Sequence, residues 1–183
     1  LRISGFGFPK NADLWDYIET MFVKFFSQIS KTDAAIAGGK GASLGEMTHA
    51  GIPVPPGFII LSNAFERFLD ETDLNVEIDT ILHSIDHREM HTVEHASEKI
   101  QTLILNAKMP KDIAAEVKQF YKKLDAQYVA VRSSATAEDS ASAAWAGQLD
   151  SFLNTNEETL LTNVQKCWAS LFTPRAIFYR FEK

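Results

Sequence analysis

Apolar positions along the chain change their period in a definite order. Met21 to Ile29 carries Phe22, Phe25 and Phe26 and predicts a strand. The Gly38-Gly39-Lys40-Gly41 run reads as a flexible turn holding one cation. A short helix is predicted after it, from about Ala42 to His49, with Leu44 and Met47 inward and Gly51 as its stop. Pro53, Pro55 and Pro56 fix an extended approach to a buried strand, Phe58 to Leu61. The middle of the chain then switches to helical spacing. Asn63 and Glu66 stand at capping-box distance, with Ser62 as a competing cap, ahead of Phe65, Phe68 and Leu69. Ile78, Ile81, Leu82 and Ile85 recur three and four apart, as do Val93, Ala96, Ile100, Leu103 and Ala107. Pro110 ends that helix and opens the next, whose stripe is Ile113, Val117, Phe120, Tyr121 and Leu124. All of these stripes read as core.

The pattern breaks after a short apolar strand from Tyr128 to Val131. Arg132 follows it directly, and then no aliphatic residue larger than alanine occurs from Ser133 to Gln148. A second short strand, Asp150 to Leu153, closes this polar run. Thr155 and Glu158 offer another capping box before a strongly amphipathic helix containing Leu160, Leu161, Val164, Cys167, Trp168, Leu171 and Phe172. Thr173-Pro174 predicts one more helix start, and the chain stops inside that helix, which reads as a cut. Residues 1–20 show no period, carry Gly5, Gly7 and Pro9, and are expected to be an extension to a single domain over 21–183.

Composition narrows the class. An apolar share of 45% in 183 residues supports a real core. A formal charge of −6 without a basic patch argues against nucleic-acid binding. The single cysteine, Cys167, excludes a disulfide framework. No apolar run has the length of a membrane span, and the first twenty residues lack a secretory h-region. A soluble cytoplasmic protein is expected, with neither nucleic acid nor membrane as a partner.

Two cations are candidates for chemistry. Lys40 lies in a glycine turn that fails the Walker pattern, because Gly41 replaces the Ser or Thr after the lysine and Ala34 replaces the first glycine. Such a turn allows backbone approach to phosphate beneath a point charge, or is a solvated loop. Arg132 leaves the end of a strand, where its planar fork suits phosphate, or pairs with Glu138 or Asp139. Gly147 and Gln148, near Trp145, could cover a phosphate, and Ser151 could add a hydroxyl or merely face outward. His87, His91 and His95 recur every four residues, but no defined ligand set completes them, so a solvated helix start is the plainer reading. Cys167 falls on an apolar face and reads as an inert packed thiol.

Five blocks in order, AGGKGASLGEM, VPPGF, AVRSSATAED, WAGQLDSFLN and CWASLFTPRAIFYR, resemble the N-terminal nucleotide-binding region of the phosphoenolpyruvate synthase and pyruvate phosphate dikinase family. Rifampin phosphotransferases share that region. The resemblance spans about Met21 to Lys183. It implies an α+β ATP-grasp N-terminal subdomain, a small mixed sheet with several flanking helices, incomplete without a second subdomain. It assigns Lys40 and Arg132 to the ATP phosphates as the catalytic cations. Gly147 and Ser151 then line the nucleotide, with Gly38, Gly39, Ser133 and Gln148 completing the expected ATP-binding set. Ser151 stands where relatives often carry threonine, Trp145 where phenylalanine is commoner, and the usual proline after TAED is missing. Magnesium ligands are expected in the second half, so no metal ligand is assigned here.

The implied reaction passes the βγ-pyrophosphoryl group of ATP to a histidine and then a phosphoryl group to pyruvate or another acceptor. The histidine and the acceptor belong to domains outside these residues. A rifampin phosphotransferase and a non-catalytic nucleotide- or partner-binding module are the alternatives. The fragment alone is expected to be inactive and open to self-association through its last helices.

Overall fold

The computed structural model describes residues 21–86, 88–134 and 150–181. The expected extension at 1–20, His87 and the polar segment 135–149, which contains Trp145, Gly147 and Gln148, lie outside the described residues. Strand β1 (Val23–Phe25) leads through two single 3-10 turns, Phe26–Gln28 and Lys31–Asp33, into helix α1 (Ala34–His49). Strand β2 (Phe58–Ile60) precedes α2 (Ser62–Glu71), α3 (Leu74–His83), α4 (Met90–Asn106) and α5 (Lys111–Lys123). Strands β3 (Val129–Arg132) and β4 (Ser151–Thr155) follow. Helix α6 (Leu160–Ala169), a 3-10 turn at Ser170–Phe172 and α7 (Pro174–Phe181) end the chain. Helices with small sheets fit the expected class. In place of one mixed sheet, the described residues form two separate antiparallel pairs, β1 with β2 and β3 with β4.

The predicted strand at Met21–Ile29 is shorter than expected, because Phe26 leaves the ladder. Its N–H donates to Gly57 O at 3.2 Å, and its ring lies where a Cβ on Gly57 would sit. The start of β1 is held from outside the sheet. The Glu116 carboxylate on α5 accepts the Phe22 and Val23 N–H groups at 3.1–3.2 Å. Phe25 and Phe58 then pack on Phe120 of the same helix, with ring centroids 4.6 and 5.9 Å away.

Helix α1 begins eight residues before the predicted Ala42, and the expected free turn at Gly38–Gly41 lies inside it. Only Gly38 departs from helical geometry, at φ 70° and ψ 162°, a region that glycine alone occupies readily. Gly41 and Gly45 face inward. A Cβ on Gly41 would stand 2.9 Å from Ile59 Cδ1, and one on Gly45 would overlap the Ile29 carbonyl. Close packing against β2 and Ile29 therefore holds a glycine-rich segment helical against its intrinsic propensity.

The larger core gathers α2 to α7 around Phe68, Ile78, Ile100, Ile104, Ile113, Phe172 and Ile177. All five predicted stripes contribute to it. Two polar side chains within it bond to backbone carbonyls. Ser97 Oγ donates to Phe172 O at 2.7 Å, and Gln165 Nε2 donates to the Ile104 and Ala107 carbonyls that α4 leaves open at its end. Both predicted capping boxes fail. Leu61 is the residue before α2, and Asn63 instead reaches back to Met21 O at 3.1 Å. Thr155 is the last residue of β4, while Asn156 and Thr159 exchange side-chain and backbone bonds ahead of α6. In each case the candidate cap was drawn into a longer-range contact. The Thr173-Pro174 start matches α7.

Candidate functional site

Strand β3 delivers Arg132 at its last position, directly across from Ser151 at the first position of β4. Arg132 Nε donates to Ser151 Oγ at 3.3 Å, so two of the expected site residues meet. Both side chains are exposed, and no carboxylate among the described residues pairs with Arg132. Glu138 and Asp139, the partners expected on the structural reading, lie outside the described residues. One step further, Ser133 is buried. Its N–H and its Oγ both donate to Asp150 O, at 3.3 and 3.2 Å. The polar segment thus leaves and re-enters the described fold at one point, with Ser133 and Asp150 as its clasp. Gly147 and Gln148 belong to that segment and lie outside the described residues.

Gly38 and Gly39 are buried and Lys40 is exposed at the start of the straight part of α1. The bend at Gly38 presses against Ser134. A Cβ on Gly38 would collide with Ser134 Oγ and stand 3.0 Å from Ser134 Cβ. The lysine and arginine motifs, with Arg132 coming 92 residues after Lys40 in sequence, therefore touch in space. Lys40 lies two residues after the contact and Arg132 two residues before it. Two residues advance a helix by about 3 Å and a strand by roughly 7 Å. The Lys40 and Arg132 backbones are therefore neighbours across this contact.

Ser134 is the residue that the sequence reading left out of the site. Its Oγ is buried and has no hydrogen-bond partner among the described residues. A buried hydroxyl without a partner costs about 1–3 kcal/mol, so its position is set by packing and not by bonding. The only sequence signal for it is the doubled serine after Arg132. The exposed groups at the edge of this contact are Lys40, Arg132 and Ser151, while Ser133 and Ser134 are packed beneath them.

The remaining candidates fall away from this edge. His91 and His95 are exposed on α4, and no group of three or more metal-binding side chains gathers among the described residues. Cys167 is buried, and burial first, then the nearby Asp150 charge, pushes its thiol up to about 12. At neutral pH it is a packed, protonated thiol, as its apolar face predicts. No described helix is long and apolar enough to cross a membrane.

A glycine bend seated beside a strand-end arginine is the geometry to be placed among known proteins. Comparison with known proteins gives the family. A profile for the pyruvate phosphate dikinase AMP/ATP-binding domain matches residues 34–183, and the chain belongs to that family. A probable phosphoenolpyruvate synthase of Methanocaldococcus jannaschii is 48% identical over 166 residues, covering 87% of this chain and 14% of that protein. A probable phosphoenolpyruvate synthase of Methanothermobacter thermautotrophicus is 44% identical over 168 residues, 88% of this chain and 25% of the relative. The phosphoenolpyruvate synthase of Pyrococcus furiosus is 38% identical over 198 residues, 87% of this chain and 24% of the relative. The chain thus spans from 14% to 25% of the length of these three relatives.

Proposed function

We propose that this chain is the ATP-binding part of a phosphoenolpyruvate synthase-like dikinase, built as the N-terminal subdomain of an ATP-grasp fold. Lys40 and Arg132 neutralise the phosphates of ATP while its βγ-pyrophosphoryl group passes to a histidine elsewhere in the protein. Hydrolysis of that group releases inorganic phosphate, and the phosphoryl left on the histidine goes to pyruvate. AMP is the other product. The catalytic contribution of these residues is electrostatic: fixed cations meet charge that is already spread over phosphate oxygens, with no proton to move. Gly38 and Gly39 form the buried bend that sets Lys40 at the phosphates, and Ser133 and Ser151 hold the arginine strand in register. Gly147 and Gln148 complete the nucleotide contacts in the polar segment. No residue of this chain is assigned to magnesium; where the ion is bound, it would add charge neutralisation at the phosphates beside Lys40 and Arg132.

The observation that carries this reading is the seat of Gly38 on Ser134, which brings the two cationic motifs to one edge beside the Arg132–Ser151 pair. The test is Arg132→Ala in the complete enzyme. AMP formation from ATP and pyruvate should fall by about 10²–10³-fold, the cost of removing one fixed charge-stabilising donor. The thermal midpoint should stay where it is, because Arg132 is exposed. An unchanged rate removes Arg132 from the site. The isolated 183-residue chain should form no AMP.

A further inference from the structure

The two cations stand on different elements, and little of the described structure joins those elements near the site. Helix α1 belongs to the β1–β2 side of the molecule, where it packs on Ile29 and Ile59. Strand β3 pairs only with β4 among the described residues. Their meeting point is the bend at Gly38 against Ser134. On one side the backbone adopts φ 70°, ψ 162° and has no Cβ. On the other a small side chain fills the space, its hydroxyl buried and unbonded. A hydroxyl in that position contributes no hydrogen bond of its own, so what the position uses is the side chain's size. Ser133, the preceding residue, is clasped to Asp150, so a shift of Ser134 is transmitted to the strand end that carries Arg132.

We infer that Ser134 is a positioning residue, a spacer seated on Gly38 that sets the separation of Lys40 from Arg132 and thereby selects polyphosphates long enough to engage both. The inference rests on the proposed phosphate role of the two cations. A single phosphate can be neutralised by either cation alone and is indifferent to their separation. A triphosphate bridging both is not. Substitutions at Ser134 therefore act through volume: Ser134→Ala removes the Oγ nearest Gly38 but keeps the Cβ behind it and adds nothing, so it is tolerated, whereas Ser134→Val wedges the strand away from the bend.

The test uses the 183-residue chain, with inorganic tripolyphosphate and orthophosphate as probes and amide hydrogen exchange as a ligand-free readout. Ser134→Val should raise exchange at the Ser133 amide by about tenfold or more while the Ile100 amide in the core is unchanged, the signature of a local opening. It should weaken tripolyphosphate by about tenfold and leave orthophosphate within about twofold, since only the bridging ligand depends on the spacing. Ser134→Ala should match the wild type in all three measurements. Unchanged Ser133 exchange and unchanged discrimination in Ser134→Val overturn the spacer. So does loss of tripolyphosphate binding in Ser134→Ala with Ser133 still protected, which makes the hydroxyl a direct ligand. If wild type and Arg132→Ala bind tripolyphosphate equally, the phosphate reading itself fails, and Ser133 exchange still decides whether Ser134 holds the strand.

Discussion

The two antiparallel pairs are both short, with three residues a strand against four and five, and have opposite uses. In β1–β2 no residue is exposed: Val23 is fully buried, Ile59 nearly so, and Phe25 and Phe58 clamp the Phe120 ring. The Glu116 carboxylate ties off the strand's first amides. In β3 and the first three residues of β4, exposed positions alternate with half-buried ones. Leu153 is 69% exposed, and Arg132 and Ser151 share the open end. One pair is a bracket fixed on both faces; the other has one face packed and one face open. The difference shows where this fold can carry binding groups. A pair covered on both faces has no room for them, while one face left free can present a cation without unpacking anything.

That comparison breaks first at Phe120. Phe120→Ala removes the ring that joins both strands of β1–β2 to α5, and should destabilise the chain by about 3–5 kcal/mol in urea unfolding. A loss below about 1 kcal/mol would mean that the bracket stands without its clamp. Next is Glu116. Replacing its carboxylate by a methyl leaves the Phe22 and Val23 amides without their acceptor, so Glu116→Ala should cost about 1.5–3 kcal/mol. Glu116→Gln keeps one acceptor oxygen and should cost distinctly less. Equal losses in the two variants would show that packing of the side-chain stem, and not the hydrogen bonds, holds β1.

What the sequence discloses follows from how local each cause is. The helices α2 to α6 are legible because their apolar residues recur three and four apart, and every stripe lands in the core. The pairing of Arg132 with Ser151 is legible only as two strands flanking a polar run. The bulge between Val129 and Val131 that sets their register has no sequence signature of its own. Lys40 was expected in a free turn because four residues of glycine-rich sequence outweigh helix propensity locally. The helix there is made by Ile29 and Ile59, which come from distant parts of the chain, although the four-residue spacing of Gly41 and Gly45 hints at a close helix contact. The failed caps have the same origin. Asn63 and Thr155 have the right chemistry, but Met21 and Asn163 claim their side chains. Ser134 is invisible for a deeper reason: its importance is a contact with a glycine, and a missing Cβ leaves no mark in any apolar pattern.

The smallest effect is expected on the open face of the second pair, at Leu153. Its side chain points to the same side as Ser151, two residues away along β4, and is 69% exposed. Leu153→Thr places a β-branched residue, which suits a strand, and removes apolar surface that the chain does not bury. Stability should therefore change by no more than about 0.5 kcal/mol. Leu153 lies about 7 Å along the strand from the Arg132–Ser151 pair, close enough for a ligand larger than phosphate to reach it. The same substitution should accordingly weaken ATP more than it weakens tripolyphosphate, which has no nucleoside to lay on that face. Titration of both ligands against the wild type and Leu153→Thr checks this. A stability loss above about 1 kcal/mol would mean that the face is covered in the folded chain, and the contrast between the two pairs would not hold.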